Sequence, residues 1–403
     1  MAERNPPLQD AALLARRATL RVDLNEINRL AALDWPDAVQ SILDAPADQE
    51  PVPASEESED AITWWYGKIA APTSGLHERM TYFWHTILTT HRWASGEQAL
   101  IAPQLQMLRA NALGNYRTLL KAFLTDGALI KYLNADSSTK RRPNENLARE
   151  LMELFTFGVG HYTEDDVRAA ALAMTGWRVN DDNNTPYFDA ERAHPDPVTF
   201  LGENKKWDVE SIADRLCDHP ATPARITSLL FHHFTGRMPD AAGAAELGSW
   251  WQGQNLEIMP LLGRILNDDA MRANHYARAR SGFEFHSAMQ SIVGLDSSDT
   301  WRAREAGQGL YEPPNVGGWP DGDRWLSADS MLRRANLLFS YDLNIIEGGV
   351  VAPLDQILDR CGLFVLSQGT LDALAAAQAD GYEGNVAHLQ WRVAMGSPEF
   401  QLT

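Results

Sequence analysis

Apolar positions recur at helical spacing along most of the chain, and few runs alternate apolar with polar residues as strands do. The first two helices are predicted over 8–33 and 36–44, the second opened by Trp35-Pro36. Further helices, separated by Gly, Pro or Asn, are expected over 59–71, 74–91, 97–110, 115–124 and 126–133. After two helices in the motif-rich segment 143–177, the pattern turns irregular over 179–208, where prolines and asparagines leave room for a short hairpin. Helical spacing resumes over 208–217, 221–235, 239–251, 255–267, 269–275, 280–293 and 299–307. It returns after the loop 309–326 in 327–346, 352–361, 370–380 and 383–395. The predicted fold is mainly α: a large single helical domain, or two apposed helical subdomains, with long Pro/Gly-rich loops and at most a small β-hairpin. No internal repeat of fixed period is apparent.

The segment 143–177 concentrates ionisable residues. Asn144 is a good N-cap, and Leu147, Leu151, Leu154 and Phe155 share one face of a helix that Gly158 ends. Asn146, Glu150 and Glu153 then run along one side, with Glu145 and Arg149 beside them. Such side chains can converge on a metal, a substrate or a buried arginine, and a solvated helix face laced from Glu145 to Arg149 reads from the same residues. A two-metal Glu-x-x-His site is not predicted, because no histidine lies at i+3 of either glutamate. Thr163 and Asp166 read as a capping box for the next helix, which leads to Thr175-Gly176-Trp177.

Composition narrows the classes. The 403-residue chain carries a net charge of −19 and lacks the basic footprint of a nucleic-acid binder or an anionic-membrane binder. Part of that charge lies in 47–60, where Asp48, Glu50, Glu56, Glu57, Glu59 and Asp60 stand without a basic residue, so an acidic flexible loop is expected there. Cys217 and Cys361 are too few for a disulfide framework or a zinc knuckle and are expected to be free or buried thiols. No apolar run reaches the length of a membrane span, and the start lacks the order of a signal peptide, which points to the cytoplasm.

A second dense segment is the loop Pro313-Pro314-Asn315-Val316-Gly317-Gly318-Trp319-Pro320-Asp321-Gly322-Asp323-Arg324-Trp325, more elaborate than a connection requires. It has no phosphate-cradling order, and the chain has no G-x-S-x-G serine. Among eleven histidines, His85, His161 and the pair His232-His233 draw attention, although a histidine inside an apolar helix is more often a satisfied core residue than a ligand.

PNENLARELMELFTFGVG followed by YTEDDVRAAALAMTGW resembles the signature of the bacterial family catalogued as domain of unknown function 1800. The likeness covers nearly the whole chain, 1–403, through MTYFWHTILTTHR, ALGNYRTLLKAFLTDGALIKYLN, TFLG, DVESIADRLCDHPATPARI, LYEPPNVGGWPDGDRWL and SPEFQ in order. The chain departs from the family pattern at Phe155, where a histidine often stands, in Ala193-His194-Pro195-Asp196-Pro197-Val198, and within RITSLLFHHF, which lacks the usual lysine. A role common to the family therefore rests on Asn144, Glu145, Arg149, Glu150, Trp177, Asn315 and Trp319. The resemblance also implies an exported partner of the family numbered 1501, whose members resemble alkaline phosphatases with a twin-arginine signal. Co-export with that partner would make the protein periplasmic.

Three functions follow. The first is an oxidoreductase with a quinone made from its own tryptophan, Trp177 or Trp319, which needs no nucleotide motif; Gly176 and Asn315 line the cofactor, and Glu150, Glu153, Arg149 and Asn146 are the catalytic candidates. The second is a metal-assisted hydrolase or lyase using Glu150, Glu153 and one of His85, His161 or His194. The third is a non-catalytic helical scaffold that accompanies the exported partner. The substrate and the presence of a metal are left open.

Overall fold

The computed structural model describes residues 2–3, 7–71, 73, 75–94, 96, 98–273, 275–294, 300–340, 353–380 and 386–403. Helices dominate, as the spacing predicts, and their buried faces join one apolar cluster that runs from Ala11 to Phe400. Large side chains set its framework: Trp65, Trp84 and Trp251 are fully buried, and each satisfies its indole N–H within the core. Trp84 donates to the carbonyl oxygen of Ala112 at 2.9 Å, Trp251 to that of Glu257 at 2.7 Å, and Trp65 to the carboxylate of Glu78 at 2.7 Å.

The expected helix over 8–33 is two, Pro7–Ala18 and Leu24–Ala31. Thr19 ends the first by bonding back to the Ala15 carbonyl at 2.8 Å, and Asp23 caps the second by accepting from the Asn25 N–H at 2.9 Å. The end of the predicted helix 327–346 lies outside the described residues, of which Ala328–Ser340 is helical.

Strand content exceeds the single hairpin expected. Antiparallel pairs form between Trp177–Asn180 and Thr185–Phe188, between Val198–Phe200 and Glu203–Lys205, and between Ala2–Glu3 and Val365–Leu366. The first two occupy the segment 179–208 predicted as irregular. Their turns hold Asn184 and Leu201 at positive φ, which the spacing of apolar residues does not report.

The acidic stretch 47–60 also differs from a solvated loop. It is irregular to Glu57, the helix Ser58–Ala70 begins inside it, and distant bases hold its acids. Lys68 pairs with Asp48 at 2.9 Å and with Glu50, Arg109 donates to the Glu50 carbonyl oxygen at 2.7 Å, and Arg92 reaches Glu59 at 2.6 Å. Cys217 and Cys361 are free and buried, with burial pushing both thiols up to about 12. Among the described residues no helix is long and apolar enough to cross a membrane.

Candidate functional site

Asn144 caps the helix Glu145–Glu150 by accepting from the Asn146 N–H at 2.9 Å. The chain then widens into a π-turn over Leu151–Phe155, which closes with the Gly158 N–H on the Met152 carbonyl at 2.9 Å. The Phe155 carbonyl accepts from the Tyr116 hydroxyl at 2.5 Å, and Thr156 Oγ1 donates to the Leu151 carbonyl at 2.7 Å. Beyond the loop, Thr163 and Asp166 form the predicted capping box for the helix Glu164–Ala173.

The ionisable residues of this segment make a surface network. Arg149 grips Glu164 through both oxygens, at 2.9 and 2.8 Å, and stands 3.9 Å from Glu153. This replaces the Glu145–Arg149 pairing that the spacing suggests, and Glu145 lies 4.0 Å from Arg168 instead. The Tyr162 hydroxyl bonds Glu153, Glu150 is half-buried, and Asn146 is exposed. Burial, with the neighbouring charge of Glu153, raises the Glu150 carboxyl above its ordinary value.

Trp177 opens a hairpin strand and packs edge-on against Phe188, ring centroids 5.8 Å apart. Gly176 before it has φ +103°, and a Cβ there would lie 2.8 Å from the Phe188 ring and 3.0 Å from the Asp189 carbonyl oxygen. Only glycine fits this hairpin entry. Asn315 is exposed, and its side chain accepts from the Gly317 N–H at 2.8 Å, so it shapes the loop that carries Trp319.

Among the described residues no group of three or more His, Cys, Asp and Glu side chains is placed to hold a metal ion. His85 is buried among Trp65, Tyr311 and Trp319, where its Nε2 accepts from the Tyr311 N–H at 3.2 Å and burial pushes its pKa down to about 3. His161 is exposed and pairs ring to ring with His219 at 5.6 Å, and the His194 N–H donates to Thr175 Oγ1 at 2.8 Å. The rings of His85 and His161 thus have neighbours other than Glu150 and Glu153, and the His194 contact is made by its backbone.

Of the predicted catalytic and cofactor residues, Trp319 lines a cavity of about 210 Å³. Helix Leu76–Ile87 contributes Tyr82 and Phe83, helix Ala221–Thr235 contributes Arg225, His232 and His233, and the segment 278–281 contributes Arg278 and Ser281. The loop Gly317–Trp325 closes the fourth side with Trp319, Asp321 and Trp325.

Behind the cavity wall, Arg278 enters a buried ion cluster. Glu284 binds Arg278 at 2.8 Å and also Arg79. Burial works to raise the Glu284 carboxyl, but the two guanidiniums outweigh it and hold it well below the usual range. In return Glu284 overcomes burial at Arg278 and keeps that guanidinium charged, while burial brings Arg79 down to about 10. Burial, with Arg79 and Arg278 adding to it, keeps His233 neutral.

On the wall itself, the Tyr82 hydroxyl bonds Ser281 Oγ at 2.8 Å and donates to the Gln308 side-chain Oε1 at 3.2 Å, and Ser281 caps the helix Gly282–Val293. His232 stands 3.3 Å from Asp321, an interaction that holds the Asp321 carboxyl below its usual range. Three buried nitrogens of the lining residues have no partner among the described residues, Arg278 Nη1, His232 Nδ1 and His233 Nε2.

The cavity joins residues that sequence reasoning singled out, namely Trp319, the His232-His233 pair and the loop's Asp321 and Trp325, to ones it passed over. Arg225, Arg278, Tyr82 and Ser281 carry no local motif. The available signal was Arg278 three residues before a Ser281-x-x-Glu284 capping box, a charged residue at the mouth of an apolar helix.

A family model described as a protein of unknown function, DUF1800, matches residues 13–402. Searches of curated proteins and of solved structures yield no match.

Proposed function

We propose, for a chain that belongs to the DUF1800 family of proteins of unknown function, that it acts on a small organic molecule held in the cavity beneath the Gly317–Trp325 loop. One observation carries the reading: a concave, aromatic-walled space onto which a few polar side chains converge, Arg225 and Arg278 with His232 and Asp321. A thermal-shift screen of small organic molecules tests it. Compounds that stabilise the wild type should lose most of that effect in a Trp319→Ala variant, and equal stabilisation of both proteins would count against the cavity.

A redox reading has its own support in the placement of Trp319. Of the two indoles proposed as quinone precursors, it is the one on the cavity wall, and its ring lies 5.0 Å from neutral His85. In this reading Trp319 supplies the oxidised ring and the cavity presents the substrate to it. Peptide mass spectrometry of protein from its native host decides: an oxygenated Trp319 supports the reading, and unmodified tryptophan at position 319 would falsify it.

A further inference from the structure

We infer that the cavity takes an organic oxyanion, a molecule with an apolar body and one carboxylate or phosphate group, whose charged end lies on the Arg225 guanidinium. The inference rests on the cavity being the ligand site and adds the chemical class of the ligand.

Arg225 is the cation of the wall that no carboxylate claims. Arg278 is committed to Glu284 at 2.8 Å, and Asp321, the carboxylate that lines the space, to His232 at 3.3 Å. Arg225 spends Nη1 on the Thr156 carbonyl oxygen at 3.2 Å and makes no ion pair among the described residues. Burial pulls its guanidinium down and Tyr116 raises it, whereas the charges acting on Asp321 are His232 and Arg278. Arginine keeps its charge in proteins, and a largely buried one without a counter-charge is best compensated by an anion.

Hydrogen bonding points the same way, because the unspent polar hydrogens of the wall belong to donors. Arg225 Nη2 makes no hydrogen bond among the described residues and is not sealed from solvent, and the same holds for the indole N–H groups of Trp319 and Trp325. Trp325 is buried, yet unlike Trp65, Trp84 and Trp251 it finds no acceptor in the protein. Tyr82 and Ser281 spend their hydroxyl hydrogens on each other and on Gln308 and add no donor. One unpaired cation and three open donors call for acceptor oxygens that carry negative charge.

Size and packing select the body. A closed apolar cavity of about 150 Å³ holds a benzene molecule, so the space here, about 210 Å³, admits one ring with a small charged group. Phe83, Leu229, Trp319 and Trp325 give that ring apolar neighbours. The planar fork of a guanidinium fits carboxylate and phosphate alike. Arg225 therefore fixes the charge of the head group and leaves its identity to titration.

Calorimetric titration of the full chain with benzoate, phenyl phosphate, neutral benzyl alcohol and inorganic phosphate tests the inference. At least one aromatic anion should bind about tenfold or more tightly than benzyl alcohol, and that advantage should shrink as salt rises from about 0.01 to about 1 M. The tighter of the two aromatic anions identifies the head group as carboxylate or phosphate. Arg225→Met keeps an apolar stem and should bring that anion down to the affinity of benzyl alcohol. The comparison of charged and neutral probes on wild-type protein needs no variant to fold. Benzyl alcohol binding as tightly as both anions overturns the oxyanion assignment and leaves the cavity reading standing, as does an Arg225→Met variant that keeps the full preference. Inorganic phosphate binding as tightly as both aromatic anions overturns the organic body. If no probe binds while the thermal-shift screen finds ligands sensitive to Trp319→Ala, the oxyanion class falls alone. If that screen also finds nothing, both readings fall.

Discussion

Arg225, on the wall of the cavity, donates from Nη1 to the carbonyl oxygen of Thr156 at 3.2 Å, the residue that follows the π-turn of the family signature. The signature thus reaches the cavity through its backbone, while its ionisable side chains form ion pairs on the surface. The wider π-turn shifts the carbonyls after Leu151 out of α-helical register, and the Tyr116 and Arg225 side chains take up two of them.

Gly158 tests this connection. It sits at φ +86°, with the Arg225 side chain 3.3 Å from where a Cβ would be. Gly158→Ala should cost about 1–2 kcal/mol of stability through left-handed strain, and should weaken ligand binding by displacing Arg225. Urea denaturation and titration of the same preparation measure the two effects, and unchanged binding would detach the signature from the cavity.

Arg149→Ala should do little by contrast. Its pair with Glu164 is at the surface, where such bridges contribute under about 1 kcal/mol. Ligand affinity should equal that of the wild type. A large loss of affinity would return the catalytic candidates Arg149, Glu150 and Glu153 to the centre of the account.

Buried histidines should make the fold acid-sensitive. Burial pushes His85 and His286 down to about 3 in the folded chain, below the unfolded value of about 6.5. Their neutral forms therefore contribute stability that is fully present above that value and is lost as pH falls through it toward 3, at about 1.4 kcal/mol per pH unit for each histidine. His85→Gln preserves an acceptor for the Tyr311 N–H and should remove one histidine's share of the slope. Denaturant unfolding between pH 7 and pH 4.5 reads it, and an unchanged slope refutes the assignment.

Asp126 should act in the opposite sense. Burial raises its carboxyl to about 7, and its Oδ1 accepts from Gln104 at 2.6 Å and from the Leu129 N–H at 3.1 Å. A folded value above the unfolded one means that stability falls as pH rises from about 4 to about 7. Asp126→Asn keeps both contacts through its carbonyl oxygen. It should match the wild type at pH 4 and exceed it at pH 8, and a variant less stable than wild type at pH 8 would contradict the sign.

Features set by neighbouring residues were legible in the sequence. The Thr163–Asp166 box, the Asn144 cap and the end of the signature helix before Gly158 stand where local chemistry places them. The π-turn was not, since Tyr116 and Arg225, which accept its altered register, lie far away in sequence. The hairpins were hidden for another reason. Thr185–Phe188 and Glu203–Lys205 are exposed throughout and bury no alternating face, so turns and backbone pairing define them. At the site, Trp319 and His232-His233 stood out by type and setting, whereas Arg278 reads as any charged residue before a helix until the fold brings Glu284, Arg79 and the loop around it.

An electron-density map of crystals grown from protein purified without stripping tests the cavity most directly. The account predicts density for a bound organic molecule in the cavity, packed against the Trp319 ring. Density for ordered water alone in that space, with any bound organic molecule elsewhere on the protein, would contradict it.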